Sequence, residues 1–138
     1  MGNRGNFYMV QEGKTEEKGI YFYGHWSGSE MPKILQKTLR RAKKACRLDD
    51  EPYFARMLFC DLIASGGRDK ALTDETSYGI STYLCDNNHK IIVIDVENQR
   101  CGYAKEPTDD KQPMPQEWYT FDKFMEMSDD ERDEAFNR

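Results

Sequence analysis

Residues 78–97 read YGISTYLCDNNHKIIVIDVE. Two runs rich in β-branched and aromatic residues, 78–85 and 90–97, flank Asp86-Asn87-Asn88-His89, four residues that favour a change of chain direction. The pattern predicts an antiparallel hairpin. A third run, 100–105 (RCGYAK), follows a tight turn around Asn98-Gln99 and extends the hairpin to a three-stranded meander.

Working toward the N-terminus, residues 52–65 (PYFARMLFCDLIAS) are apolar almost all round and predict a buried helix, stopped by Gly66-Gly67. Residues 30–47 predict an amphipathic helix. Ile34, Leu35, Thr38, Leu39, Ala42 and Cys46 recur at spacings of three and four, and Pro32 fits the first turn. Residues 7–12 and 19–25 flank the polar loop 13–18 and predict a second hairpin. In its second strand Ile20, Phe22 and Gly24 share one face, and Tyr21, Tyr23 and His25 the other.

Working toward the C-terminus, 106–117 holds Pro107, Pro113 and Pro115 and predicts an extended connection. Thr120 and Ser128 are candidate helix caps, and Ser128 with Glu131 has the spacing of a capping box. The expected fold is α+β. It has an antiparallel sheet of about five strands in the order β-β-α-α-β-β-β, helices on one face and a short C-terminal helix. Residues 1–127 form the expected single domain. Residues 128–138 form an acidic tail, helical or frayed.

The chain of 138 residues has a net charge of −5, which argues against a general coat for nucleic acid. The charge is unevenly placed. Residues 31–48 hold seven cations and no acid, whereas 106–138 hold eleven acids and four bases. Lys33, Lys37, Arg40, Lys44 and Arg47 step by four and three, so they line one helix stripe. Such a stripe is either a solvated face or a surface for an anionic partner: an acidic protein, nucleic acid through 33–47, or the protein's own tail. No stretch approaches the ~20 apolar residues of a membrane span. The start has no basic-then-apolar leader, so a cytoplasmic location is expected. Cys46, Cys60, Cys85 and Cys101 have no zinc-ligand spacing and are expected as reduced thiols.

Two constellations invite chemistry. Gly24-His25-Trp26-Ser27-Gly28 lies at a strand-to-helix junction. A His beside an exposed Trp can hold a ring or anion there, and Tyr21 and Tyr23 would extend an aromatic contact surface. Arg56 and Asp61 interrupt the apolar helix, and each needs a partner or a polar pocket. Asp95, closing the run Ile91–Ile94, is a candidate partner for Arg56, and Arg4 a further anion-binding residue. No nucleophile, metal-ligand or cofactor motif is assembled, so none of these is expected.

Gly2-Asn3-Arg4, the strand leading into His25-Trp26-Ser27-Gly28, Tyr53-Phe54-Ala55-Arg56 and Tyr78-Gly79-Ile80-Ser81 together resemble a set of small uncharacterised proteins of bacteria, phages and mobile elements. The likeness spans roughly residues 2–104 and implies a context without an established activity. The expected function is a small non-enzymatic cytoplasmic binding protein, a phage or mobile-element accessory or inhibitor. It would engage a host or phage protein through Tyr21, Tyr23, His25, Trp26 and the basic helix. The alternative is a module or enzyme for a nucleotide-like anion, using His25, Trp26 and Arg56.

Overall fold

The computed structural model describes residues 2–11, 19–65, 76–108 and 111–138. The expected loop at 13–18 and the stop at Gly66-Gly67 lie outside them. Among the described residues, six strands and four α-helices follow one another: β1 (Gly5–Met9), β2 (Ile20–Gly24), α1 (Met31–Lys44), α2 (Glu51–Ala64), β3 (Tyr78–Ser81), β4 (Ile91–Asp95), β5 (Arg100–Ala104), β6 (Trp118–Thr120), α3 (Phe121–Glu126) and α4 (Asp129–Asn137). No helix among the described residues is long and apolar enough to cross a membrane.

The fold is α+β, with one six-stranded sheet in the order β3-β2-β1-β4-β5-β6. The sheet is mixed, which corrects the expected five-stranded antiparallel arrangement. β1 pairs antiparallel with β2, Phe7 opposite Phe22, but parallel with β4, Phe7 beside Ile92. β3 is not the hairpin partner of β4. It pairs antiparallel with β2, Ile80 opposite Phe22, at the far edge of the sheet. Consequently β3 and β4 run in the same direction, and a tight turn joins only antiparallel neighbours.

Residues 82–90 must therefore return along the sheet, and their contacts show the route. Leu84 packs on the face formed by Tyr8, Tyr21, Ile91 and Val93. The Asn6 side-chain amide donates to the Asp86 carbonyl at 3.3 Å and to Asn87 Oδ1 at 3.2 Å. Asn88 brackets Arg4: its Oδ1 accepts from Arg4 N–H at 2.8 Å, and its own N–H donates to Arg4 C=O at 2.9 Å. The turn-forming residues at 86–89 thus bind the start of β1 instead of closing a hairpin. β6 follows the expected connection at 106–117 and is a strand the sequence pattern does not predict; its three residues extend the meander beyond β5, Cys101 opposite Tyr119.

The two sheet faces differ. Phe7, Met9, Phe22, Ile92, Ile94 and Cys101 meet Leu35, Leu39, Phe54, Leu58, Leu62, Phe121 and Phe124 in the main core. Each fully buried aliphatic or aromatic side chain there contributes about 1.5–3 kcal/mol. α1 lies between α2 and the C-terminal helices. The Gln36 side-chain amide donates to the carbonyls of Phe124 at 3.0 Å and Met127 at 2.9 Å. Thr38 Oγ1 donates to Asp61 Oδ2 of α2 at 2.7 Å. α2 is less enclosed than its composition predicts: Phe54, Leu58 and Leu62 are buried, but Tyr53 is 52% exposed. Ser128 caps α4 in a capping box with Glu131, and Ala135 and Phe136 enter the core.

Candidate functional site

Antiparallel pairing of Gly5 with Gly24 places the residue before β1 beside the residue after β2. Arg4, Tyr23, His25 and Trp26 therefore gather at one end of the sheet, on the face away from the helices. The Tyr23 hydroxyl lies 2.7 Å from His25 Nδ1, and the His25 and Trp26 rings meet edge to face with centroids 4.4 Å apart. Burial raises the Tyr23 phenol above its ordinary pKa, and the charge and hydrogen bond of Arg4 work against that rise. Trp26 is 59% exposed beside the His25 ring.

Asn3 holds the segment that carries Trp26. Its side-chain amide donates to the Trp26 carbonyl at 3.0 Å and to Ser29 Oγ at 2.9 Å. Its Oδ1 accepts from Ser29 N–H at 2.9 Å and lies 2.6 Å from His89 Nε2, while Gly28 N–H donates to Asn3 C=O at 2.8 Å. His25 N–H donates to the Ser77 carbonyl at 2.9 Å. Three of the four short sequence motifs quoted above, at 2–4, 25–28 and the start of β3, are in this way welded at one corner.

The other sequence candidates sit elsewhere. Tyr21 faces the same side of the sheet as Tyr23 but is buried against Tyr8, ring centroids 4.7 Å apart. Its phenol is pushed up to about 12 by burial and then by Tyr8. The expected Arg56–Asp95 pair does not form. Arg56 is exposed on α2, with Nη1 3.9 Å from Cys60 Sγ. Asp95 is buried at the opposite end of the sheet from His25 and pairs with Arg100, its cross-strand neighbour, at 2.9 Å. Asp95 also accepts from the backbone N–H and side-chain amide of Asn98, fixing the β4–β5 turn. The register itself is the signal for that pair: two residues flanking a four-residue turn face each other. His25, Arg56 and Asp95 therefore share no site.

The stripe on α1 is partly consumed by the fold. Arg40 Nη2 donates to the Met125 carbonyl at 2.7 Å, and the Arg47 guanidinium stacks over Tyr53, 4.9 Å from its centroid. Lys33 lines a cleft with Ser29, Asp133 and Phe136. Lys37 and Lys44 are exposed and make no ion pair among the described residues. Beside the stripe, Arg41 pairs with Asp61, and Lys43 with Asp122 at 3.6 Å. Acids of α4 reach one end of the stripe: Asp129 and Asp133 line the same cleft as Lys33, and both also pair with Arg132 on their own helix, at 2.9 and 3.2 Å. Among the described residues, no group of three or more His, Cys, Asp or Glu converges as a metal site.

No protein-family model matches the chain, and comparison with curated proteins and with solved structures returns no match.

Proposed function

We propose that this chain is a small non-enzymatic binding protein, an accessory of bacterial or phage origin that engages a host protein. Trp26 carries the proposal: a large ring is held out to solvent at 59% exposure while its backbone and its neighbour His25 are fixed by Asn3 and Tyr23. An exposed aromatic on a rigid support loses little freedom on binding, and such residues dominate interface energies. Lys37 and Lys44, exposed on α1, supply positive charge that draws an acidic partner and raises the association rate. A cytoplasmic partner fits the sequence context. No nucleophile stands within hydrogen-bond reach of His25 among the described residues, where its ring nitrogen meets a phenol and no carboxylate, which favours binding over catalysis.

Cross-linked pull-downs from bacterial lysate test this reading with the full chain as bait. The expected result is a protein retained by the wild type and by Tyr83→Ala, a more exposed aromatic control. It is lost with Trp26→Ala and captured more slowly, with weaker salt dependence, by Lys37→Glu/Lys44→Glu. Identical captures by the wild type and Trp26→Ala overturn it.

A further inference from the structure

We propose that the cleft between the β5–β6 connection and the end of α4 is a second binding site, for a small anion that carries a flat ring, of nucleoside monophosphate size. The cleft has a volume of about 540 Å³, within the range of ~300–1,000 Å³ typical of small-molecule sites. It lies apart from Trp26 and rests on none of the residues of the proposed partner surface.

Its walls are fixed by the core. The connection leaves β5 at Ala104 and returns pressed against Gly102, where a Cβ would stand 2.6 Å from the Glu117 carbonyl and 2.7 Å from Pro115. Tyr8, on the sheet face below, donates its hydroxyl to Gln112 Oε1 at 2.7 Å and pins the returning arm. Pro113 and Pro115 are buried and stiffen that arm. Tyr103 and Tyr119 line the cleft, their ring centroids 6.3 Å apart, and Tyr103 is backed by Phe136 at 5.3 Å. These rings offer apolar, π-rich surface to a planar group.

The rim is cationic. Among the described residues, Lys90, Lys105, Lys111 and Arg138 line the cleft beside Glu106 and Glu117, in a chain whose overall charge is −5. Glu117 is occupied by the Tyr119 hydroxyl at 2.8 Å, and Lys90 Nζ donates to the Ala135 carbonyl at 3.4 Å. That leaves Lys105 and Lys111, one on each arm of the connection and both exposed, as the cations placed to meet a phosphate. Arg138 contributes as well, although it also lies 4.0 Å from Glu134. Aromatic lining with a cationic rim selects a ring joined to an anion, more strongly than either part alone.

Isothermal titration with adenosine, guanosine, cytidine and uridine 5′-monophosphates tests the site, with adenosine and inorganic phosphate as part-ligands. Saturable binding of at least one monophosphate is expected. Each part-ligand should bind about tenfold more weakly or worse, equivalent to roughly 1.4 kcal/mol. Lys105→Ala/Lys111→Ala, two exposed changes that keep the circular dichroism spectrum, should weaken binding at least tenfold, and Trp26→Ala should leave it unchanged. Absence of binding by all four monophosphates, binding that survives the double lysine change, or binding lost with Trp26→Ala overturns the proposal. Identical partner capture by the wild type and Trp26→Ala, with nucleotide binding intact, would overturn only the protein-binding reading.

Discussion

The Asn3 side-chain oxygen and His89 Nε2 lie 2.6 Å apart, joining the segment before β1 to the end of the 82–90 crossover. The contact also places a hydrogen on one ring nitrogen. Asn3 Nδ2 is committed to the Trp26 carbonyl and Ser29 Oγ, so its Oδ1 must accept, and His89 must donate through Nε2. Asn3→Ala therefore leaves Ser29 N–H, the Trp26 carbonyl and His89 without their partner. These groups are partly solvated, so the expected loss is about 1–2 kcal/mol, read from the urea midpoint. Gly28→Ala should cost at least as much, because its Cβ would collide with His89 Cδ2 and stand 2.9 Å from the Arg4 carbonyl.

His89 also predicts a pH dependence. Burial lowers its pKa below the ordinary 6.5 because the charged ring is the one desolvated. On acidification the unfolded chain takes up this proton first, so the folded state loses stability as pH falls from about 7 through the depressed value. Above that window both states hold a neutral ring and the term vanishes. The wild type should lose more stability than His89→Gln between about pH 7.5 and pH 5.5. Parallel losses in the two proteins would show that His89 does not titrate differently on folding.

The hairpin of β1 and β2, its two faces, the basic helix and the Ser128 box are all legible in the sequence because each depends on neighbours within one turn or one strand. The Thr120 cap is equally local, its hydroxyl accepting from Lys123 N–H at 3.1 Å. What local pattern cannot carry is which strands meet. Asp86-Asn87-Asn88-His89 marks a change of course in either topology, and only the long-range bonds of Asn6 and Arg4 decide against the hairpin. The same limit hides the corner built on Asn3, whose contacts span 23 to 86 residues. It hides the 540 Å³ cleft too, assembled from β5, β6, α4, Lys90 and the connection. Tyr23, His25 and Trp26 were found because they are adjacent, whereas Arg56 and Asp95 were paired on chemistry alone and lie on different elements.

Cys46 holds a backbone conformation that normally belongs to glycine. Its φ is +59°. Here α1 closes with Cys46 N–H donating to the Lys43 carbonyl at 3.1 Å and Arg47 N–H to Ala42 at 2.8 Å, a pattern that needs a left-handed residue between them. A side chain there costs about 1–2 kcal/mol. Cys46→Gly should accordingly raise the thermal midpoint, with a gain of roughly 1 kcal/mol after the added freedom of glycine in the unfolded chain is counted. A lower midpoint would show that the Cys46 side chain stabilises the exposed corner.

Asp61 is 6% exposed and holds two partners on α1, Thr38 and Arg41. Arg41 is half exposed, so the ion pair itself contributes little beyond screening limits. Its removal still leaves a buried carboxylate with a single hydroxyl donor. Arg41→Ala should cost about 1–2 kcal/mol, and Asp61→Asn less, since an amide keeps an acceptor for Thr38 without the charge. A double-mutant cycle on these two positions measures the coupling, and strict additivity would show the contact contributes nothing.

The C-terminal segment is acidic and hydrophilic, and composition alone would let it fray. Its buried residues argue otherwise. Phe136 is 5% exposed, stacked on His89 at 5.4 Å and tilted against Tyr103 at 5.3 Å. Arg132, equally enclosed, donates to Gln36 Oε1 of α1 at 3.0 Å, and Gln36 in turn holds the carbonyls that link α3 to α4. α4 is thus tied to both the helical layer and the crossover through one aromatic and one polar contact. Phe136→Ala should destabilise the whole chain by about 3 kcal/mol, with far-ultraviolet and tyrosine signals melting together. Glu134→Ala, on the exposed side of the same helix, should stay within about 0.5 kcal/mol of the wild type. If Phe136→Ala instead melts α4 alone and leaves the main urea transition in place, the helix is an appendage and its contacts with His89 and Tyr103 contribute nothing to the core.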